Sequence, residues 1–254
     1  MADDPIYPML LADAGNTSVK FAVVGKPGSK PRTLPALPTR DLTATKVRAL
    51  WKSSRARSAA ASCVVPKVAK ILRAGCPAIR LIGGKSKRNF TTAVDLGTVG
   101  ADRLANMAEA AHRFGQNVIV ADFGTAATFD VLDDQGCFIG GAIAPGLRTM
   151  ASALSAKTAQ LPMAEWCKIK RATGRNTREA LRSGLAGGYA GMVHHLLESL
   201  SKENFKRTRP HIVFTGGDAV TVSRLCGLQL QPLIDSSWTL RGIAVLGHRD
   251  AREV

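Results

Sequence analysis

Residues 10–20 read Leu-Leu-Ala-Asp-Ala-Gly-Asn-Thr-Ser-Val-Lys, and the rest of the chain is organised around them. An apolar run enters Asp13, the turn Ala14-Gly15-Asn16-Thr17 follows, and a second apolar run leaves from Val19 to Val24. This pattern predicts a β-hairpin in which Gly15 and Asn16 are the residues that tolerate positive φ. Such a turn can aim backbone N–H groups, the Thr17 hydroxyl and Lys20 at one anion. Asp13 then stands at a strand end, where Mg²⁺ held through water could bridge it to a phosphate.

A related turn recurs 109 residues later. Val118-Ile-Val-Ala121 leads into Asp122-Phe-Gly-Thr125, and Thr128 to Leu132 leaves it. Either copy alone is an ordinary Asp-x-Gly turn. Two copies, each opening a lobe-sized segment, predict a duplicated lobe with the turns facing each other across a cleft. That arrangement resembles the way the acetate kinase, sugar kinase, heat-shock ATPase and actin superfamily grips ATP phosphates.

At 254 residues with 45% hydrophobic content and 24 glycines, the chain has the size and composition of an α/β enzyme of one large domain or two lobes. It contains no run of 18 apolar residues, so no transmembrane helix and no membrane partner is expected. The start, Met-Ala-Asp-Asp-Pro, is acidic and lacks a basic n-region, and the expected location is cytoplasmic. Five scattered cysteines without a Cys-x-x-Cys pair predict reduced thiols rather than disulfides or structural zinc. No HExxH, GxSxG or Walker A pattern appears, and His194-His195 reads as structural. The net charge of +16 attracts polyanions such as ATP and leaves a nucleic-acid partner open. Few aromatics interleave with the basic clusters, which counts against a single-strand stacking platform.

Residues 8–82 read as β-β-β-α-β-α-β: strands Met9–Asp13, Ser18–Val24 and Arg32–Ala36, a helix capped by Asp41, strand Ala59–Val65, a helix after Pro66, and strand Ala78–Ile82. That order matches a ribonuclease H-like lobe. Residues 83–99 read as an irregular basic loop, and Gly100-Ala-Asp-Arg103 opens a helix reaching Phe114. Taken alone, Asp102 is a carboxylate placed favourably beside the positive end of that helix. The second lobe begins near Gln116 and repeats the order with a longer helical part. It ends in Thr215-Gly-Gly-Asp218, a strand over 228–233 and a last helix from Leu240. The glycines of Ala186-Gly-Gly-Tyr-Ala-Gly191 predict close approach of another backbone to a long helix that starts at Asn176 or Thr177. The expected architecture is α/β, two ribonuclease H-like (actin-like ATPase) lobes over 1–115 and 116–254, each a mixed sheet flanked by helices.

Taken together, these stretches resemble the type III pantothenate kinases. Asp13 to Lys20 is similar to that family's first phosphate motif, Gly100 to Arg103 to its Gly-x-Asp-Arg motif, and Asp122 to Ala126 to its second phosphate motif. Gly140 to Gly146 and Thr158 to Pro162 resemble its intervening segments, and Gly174-Arg-Asn-Thr177, followed by Ser183-Gly184, resembles its dimer-side substrate stretch. The resemblance implies ATP-dependent phosphorylation of pantothenate, the first step of coenzyme A synthesis, by a homodimer. It implies that Asp13, Ala14, Gly15, Asn16, Thr17, Ser18, Val19, Lys20 and Thr125 bind ATP. It further implies Asp102 as general base, and Gly100, Ala101, Asp102, Arg103 and Thr177 as the pantothenate contacts. Asp122 would hold a monovalent cation, K⁺ or NH₄⁺, and Mg²⁺ would accompany ATP. The family's usual pocket tyrosine falls here near Ala93, with Phe90 the closest aromatic. That departure keeps in view a kinase of the same fold acting on another small hydroxyl acceptor, and the net charge of +16 keeps in view a non-catalytic regulatory protein.

Overall fold

The computed structural model describes residues 6–158, 171–227 and 231–251. The chain opens with strands β1 (Met9–Ala14), β2 (Ser18–Val24) and β3 (Arg32–Pro38), then helix α1 (Ala44–Ser54). Strand β4 (Ser58–Cys63), helix α2 (Pro66–Gly75), strands β5 (Ile79–Leu81) and β6 (Thr91–Thr92) and helix α3 (Ala101–Arg113) follow. Next come β7 (Val118–Phe123), β8 (Ala126–Leu132), β9 (Cys137–Pro145) and α4 (Leu147–Lys157). Helices α5 (Thr177–Arg182) and α6 (Gly188–Asn204) are joined by a π-helical turn, Ser183–Gly187. Strand β10 (His211–Thr215), helix α7 (Ala219–Cys226), strand β11 (Leu233–Ile234) and helix α8 (Trp238–Ala251) complete the described chain.

The residues form two compact units. The first comprises Met1–Gly115, Gly136–Phe138 and Ser237–Val254, and the second Gln116–Gln135 and Ile139–Ser236. A division in chain order, at 115/116, assigns the last helix to the second lobe; in the structure α8 clusters with the first. The reason lies in its apolar stripe. Leu240, Ile243 and Leu246 are buried in one cluster with Leu104, Ala105 and Ala108 of α3. Burying each of these large side chains is worth about 1.5–3 kcal/mol.

In the first unit the sheet order is β3-β2-β1-β4-β5. β2 runs antiparallel to β1 and β3, whereas β4 runs parallel to β1 and β5. Alternation along β1 sends Leu10, Ala12 and Ala14 into the core beneath α1 and α2, and Met9 and Leu11 into the core beneath α3 and α8. Strand β4 is Ser-Ala-Ala-Ala-Ser-Cys, and its small side chains let helices approach both faces. A Cβ at Gly247 of α8 would stand only 2.5 Å from Ala60 Cβ.

The second unit holds β11-β10-β7-β8-β9, with β7 antiparallel to β8 and parallel to β10. Ile119, Ala121, Phe123, Ala127, Phe129 and Val131 form one core with Tyr189, Val193 and Leu197 of α6. The Tyr189 phenol is pushed up above its ordinary range, first by burial and then by the Asp218 carboxylate.

Several local expectations change. Helix α1 is capped by Thr43, whose side chain accepts the Lys46 N–H at 3.3 Å, while Asp41 sits in a 3₁₀ turn before it. Among the described residues a Cβ at Gly188 or Gly191 would meet nothing within 4 Å, so no described backbone packs closely on these two; both follow the π turn instead. The expected stop at Leu161-Pro162 and residues 228–230 of the expected strand lie outside the described residues.

Candidate active site

In the first unit, pairing of Asp13 with Lys20 and Ala14 with Val19 closes the hairpin. Gly15 N–H donates to Ser18 O at 3.1 Å. Neither Gly15 nor Asn16 adopts positive φ, contrary to expectation. The link is longer than the two-residue turn that demands mirror-image dihedrals. Asn16 and Thr17 are exposed at its tip. Thr39 braces the turn: its hydroxyl donates to Gly15 O at 2.7 Å, and its N–H to Thr17 O at 3.0 Å. Ser18 and Lys20 are half-buried on the outgoing strand, and Ala14 and Val19 are core residues that fix its register.

Asp13 lies in register with Ser62 on parallel β4. Ser62 is fully buried, and its Oγ has no hydrogen-bond partner among the described residues. The next residue, Cys63, is half-buried. Burial pushes its thiol up, the Val65 carbonyl bond opposes this, Asp13 adds to it and Arg73 opposes it. A protonated, carbonyl-bonded thiol is no nucleophile.

Helix α3 brings in Gly100 to Arg103. Gly100 is the N-cap, and no side chain caps this end. The Asp102 Oδ1 folds back to accept the Arg103 N–H at 2.8 Å. A Cβ at Gly100 would collide with that oxygen and lie 3.6 Å from Val64 Cγ1. Val64 N–H in turn donates to Ala14 O at 3.2 Å. The end of β1 and the start of α3 therefore meet around Val64, and this places the Asp13–Lys20 hairpin and the Asp102 helix start in one neighbourhood of one unit. Ala101 is buried beneath the helix start. The Arg103 guanidinium stands 5.6 Å over the Phe138 ring, and Phe90 meets that ring edge-on at 6.4 Å. The Ala93 N–H donates to Phe138 O at 3.0 Å, so the 90–93 segment is pinned beside Arg103 with Phe90, not Ala93, supplying the ring.

The far side of α3 is locked by α8. Asn106 is fully buried; its carbonyl accepts from Trp238 Nε1 at 3.1 Å and its Oδ1 from the Thr239 hydroxyl at 2.9 Å. A Cβ at Gly242 would collide with the Ala105 backbone.

In the second unit, Asp122 pairs with Thr128 on β8 and with Thr215 on parallel β10. Thr215 is fully buried, and its Oγ1 has no partner among the described residues. Gly216 adopts φ +91, and a Cβ there would lie 2.5 Å from Asp122 Oδ1 and collide with Phe123 O. The turn continues with Asp218 N–H donating to Phe123 O at 3.1 Å, and Arg148 Nε donates to Asp218 Oδ1 at 2.9 Å. Thr125 is exposed, and its carbonyl accepts from Gly146 N–H at 3.0 Å and the Thr149 hydroxyl at 2.6 Å. The start of α4 is thus tied to the Asp122–Thr125 turn.

Thr177 is exposed at the first turn of α5. There Asn176 and Glu179 form a reciprocal cap: Glu179 N–H donates to Asn176 Oδ1 at 3.0 Å and Asn176 Nδ2 to Glu179 Oε1 at 3.0 Å. No hydrogen bond joins Thr177 to Asp122 or Thr125 among the described residues. A recess of about 240 Å³ lined by Asn117, Asp134, Phe205 and Arg207 opens at the start of β7, the end away from Asp122, and has no part in this chemistry. Among the described residues no three His, Cys, Asp or Glu side chains converge to hold a metal ion. Thr39 and Ser62 carry no signal in the sequence, because each acts through strand register or a long-range contact.

The family model described as type III pantothenate kinase matches residues 9–199. The type III pantothenate kinase of Akkermansia muciniphila is 35% identical over 240 residues, covering 93% of this chain and 96% of that protein. The type III pantothenate kinase of Methylacidiphilum infernorum is 43% identical over 151 residues, covering 59% of this chain and 54% of that protein. In fold alone, the chain is similar to the activator of the 2-hydroxyisocaproyl-CoA dehydratase from Clostridium difficile with bound ADPNP. That likeness has a TM-score of 0.53 at 12% identity, over 95% of this chain and 93% of the other. The actin-like ATPase fold and the match across three quarters of its length agree: this chain belongs to the type III pantothenate kinase family.

Proposed function

We propose that the protein transfers the γ-phosphoryl group of ATP to the primary hydroxyl of pantothenate, the first step of coenzyme A synthesis. Beyond family membership, the observation that carries this reading is the meeting of the Asp13–Lys20 hairpin with the Gly100–Arg103 helix start around Val64.

Phosphoryl transfer asks for positioning and charge stabilisation more than covalent chemistry. Residues Asp13 to Lys20, with Thr125 of the second turn, would hold the ATP phosphates, Lys20 opposing their charge. Gly100 to Arg103 and Thr177 would hold pantothenate, with the Arg103 fork suited to its carboxylate. Asp102 would take the hydroxyl proton as the new O–P bond forms and the bond to ADP breaks, ADP leaving with the electron pair. A weak carboxylate base suffices late in such a transfer.

The residues also fit the implied ions. Mg²⁺ binds through one or two carboxylates plus phosphate oxygens, which Asp13 can satisfy. Asp122, with the unpartnered hydroxyl of Thr215 beside it in register, offers one charge and a neutral oxygen, a set suited to K⁺ or NH₄⁺. These ions supply charge neutralisation when bound. The exposed, capped start of α5 is consistent with Thr177 acting at a site completed by a second copy, in a homodimer working in the cytoplasm. No described helix is long and apolar enough to cross a membrane.

The test is ADP release from Mg-ATP in K⁺ buffer, with and without pantothenate. Pantothenate-dependent turnover is expected. Turnover with other hydroxyl acceptors but none with pantothenate would overturn the substrate and point to a pocket altered where Phe90 replaces the usual ring.

A further inference from the structure

We propose that the outer face of the first unit, built by α1 and α2, is a docking surface for the phosphate backbone of duplex nucleic acid. Between Asp41 and Asp95 the chain carries twelve Lys and Arg and not one Asp or Glu. That stretch alone accounts for most of the net charge of +16. Folding gathers seven of the twelve, Lys46, Arg48, Lys52, Arg55, Lys67, Lys70 and Arg73, on α1, its C-cap and α2, whereas Lys87 is held against Asp250 of α8. α1 and α2 pack on each other, and a Cβ at Gly75 of α2 would stand 2.5 Å from Val47 Cβ of α1. Lys46, Lys52 and Arg55 from the first helix and its cap, and Lys67, Lys70 and Arg73 from the second, are all exposed. None of the six forms an ion pair with a described carboxylate. Neither helix places an acid in its first turn, where the helix dipole favours one, and each places a lysine there instead. Lys67, Lys70 and Arg73 follow each other at i,i+3 spacing, where like charges weaken a helix. Stability does not produce this pattern; a polyanion does.

The chemistry of the face selects among polyanions. Apolar side chains that insert strengthen membrane adsorption beyond what charge alone gives. Among the described residues the exposed large hydrophobics are Val64, Ile143, Val220 and Ile234, and of these only Val64 belongs to the acid-free stretch, where it sits against Gly100 and off this face. Single-stranded nucleic acid needs aromatic platforms. Trp51, the one aromatic residue of these helices, is half-buried and packs against the core beneath α1 and α2. What remains is a set of long cations without stacking or insertion groups, suited to sequence-independent phosphate contacts. The face lies on the opposite side of the sheet from α3, so docking leaves Asp102 uncovered.

The test titrates the full-length protein against a labelled DNA duplex of random sequence over a range of KCl concentrations. The wild type is expected to bind with log affinity falling linearly in log salt. The triple variant Lys67→Glu, Lys70→Glu, Arg73→Glu is expected to lose at least tenfold in affinity at low salt and to flatten the slope by about 3, roughly one per lysine or arginine. Its thermal melt and pantothenate-dependent turnover should match the wild type. A matched reversal of the exposed Lys206, Arg207 and Arg209 in the second unit should leave affinity within about twofold, allowing for its smaller effect through net charge. Equal loss in both variants would reduce the binding to diffuse net charge and overturn the proposal. So would absence of duplex binding at low salt, or tighter binding to phosphatidylserine vesicles than to the duplex.

Discussion

The strand–turn–strand of the first unit and that of the second share a plan and differ in one sign. In each, an aspartate is the next-to-last residue of the entering strand: Asp13 on β1 and Asp122 on β7. In each, the parallel neighbour sets a buried hydroxyl in register with it, Ser62 or Thr215, and each hydroxyl has no described partner. Across the antiparallel pair, however, Asp13 faces Lys20 and Asp122 faces Thr128. The first copy sets its carboxylate in register opposite a cation, a pairing suited to an anion. The second sets its carboxylate in register with two threonines, Thr128 and Thr215, and Gly216 at φ +91 lets the following turn close on it. On the proposed reading, one cross-strand residue separates the copy proposed to hold an anion from the copy proposed to hold a cation.

The largest expected effect tests which copy sits beside the chemistry. Asp102→Asn should lower kcat by about 10²–10⁴-fold, the range for loss of a general base, with ATP binding kept. Near-normal turnover would remove Asp102 from that role. Next, Lys20→Thr gives the first copy the second copy's cross-strand residue. Loss of a charge-assisted hydrogen bond of about 1.5–3 kcal/mol should cut kcat/KM for ATP by roughly 10–150-fold. An unchanged value would mean the sign difference has no bearing on phosphate. The converse probe uses K⁺. The rise in Tm on replacing choline chloride by KCl at constant ionic strength should vanish in Asp122→Asn. In Thr215→Val it should need roughly tenfold more K⁺, about 1.4 kcal/mol. Ser62→Ala should leave it alone, and an equal effect from both hydroxyls would erase the distinction between copies.

The smallest effect reads the first copy's charge directly. Burial, with Asp13 adding to it, holds the Cys63 thiol above its ordinary range, so less thiolate is present at pH 8 than in a free cysteine. Alkylation of Cys63 by iodoacetamide at pH 8 should be slow, and Asp13→Asn should speed it by less than about tenfold. A slower reaction in the variant would mean that Asp13 does not bear on this thiol as its position implies.

Much of this comparison is legible in the amino-acid sequence alone. Alternation into Asp13 and Asp122 reveals both hairpins, and Gly100-x-Asp-Arg at a helix start is a local signal. The turn conformations are not legible, because Asp-x-Gly fits several turn types and register chooses one without positive φ. The pairing of Ser62 and Thr215 with these aspartates gives no sign of itself because it is set by a parallel neighbour about 50 and 90 residues away. The place of α8 is hidden for a similar reason: Gly242 and Gly247 read as helix weaknesses until Ala105 and Ala60 appear opposite them. Phe90 becomes the ring of the 90–93 segment only through its edge-on contact with Phe138, a residue 48 positions later.

The lock between Asn106 and the Trp238-Thr239 pair also sets an order of events during synthesis. A ribosome delivers α3 more than 120 residues before α8, so the helix that presents Asp102 emerges without the partner that buries its far side. The second unit can fold while the first is still waiting. Any product that stops short of Trp238 leaves the Asn106 amide and the apolar stripe of α3 exposed, in the form that cellular proteases and chaperones recognise. Emergence of α8 and burial of the far side of α3 are one event.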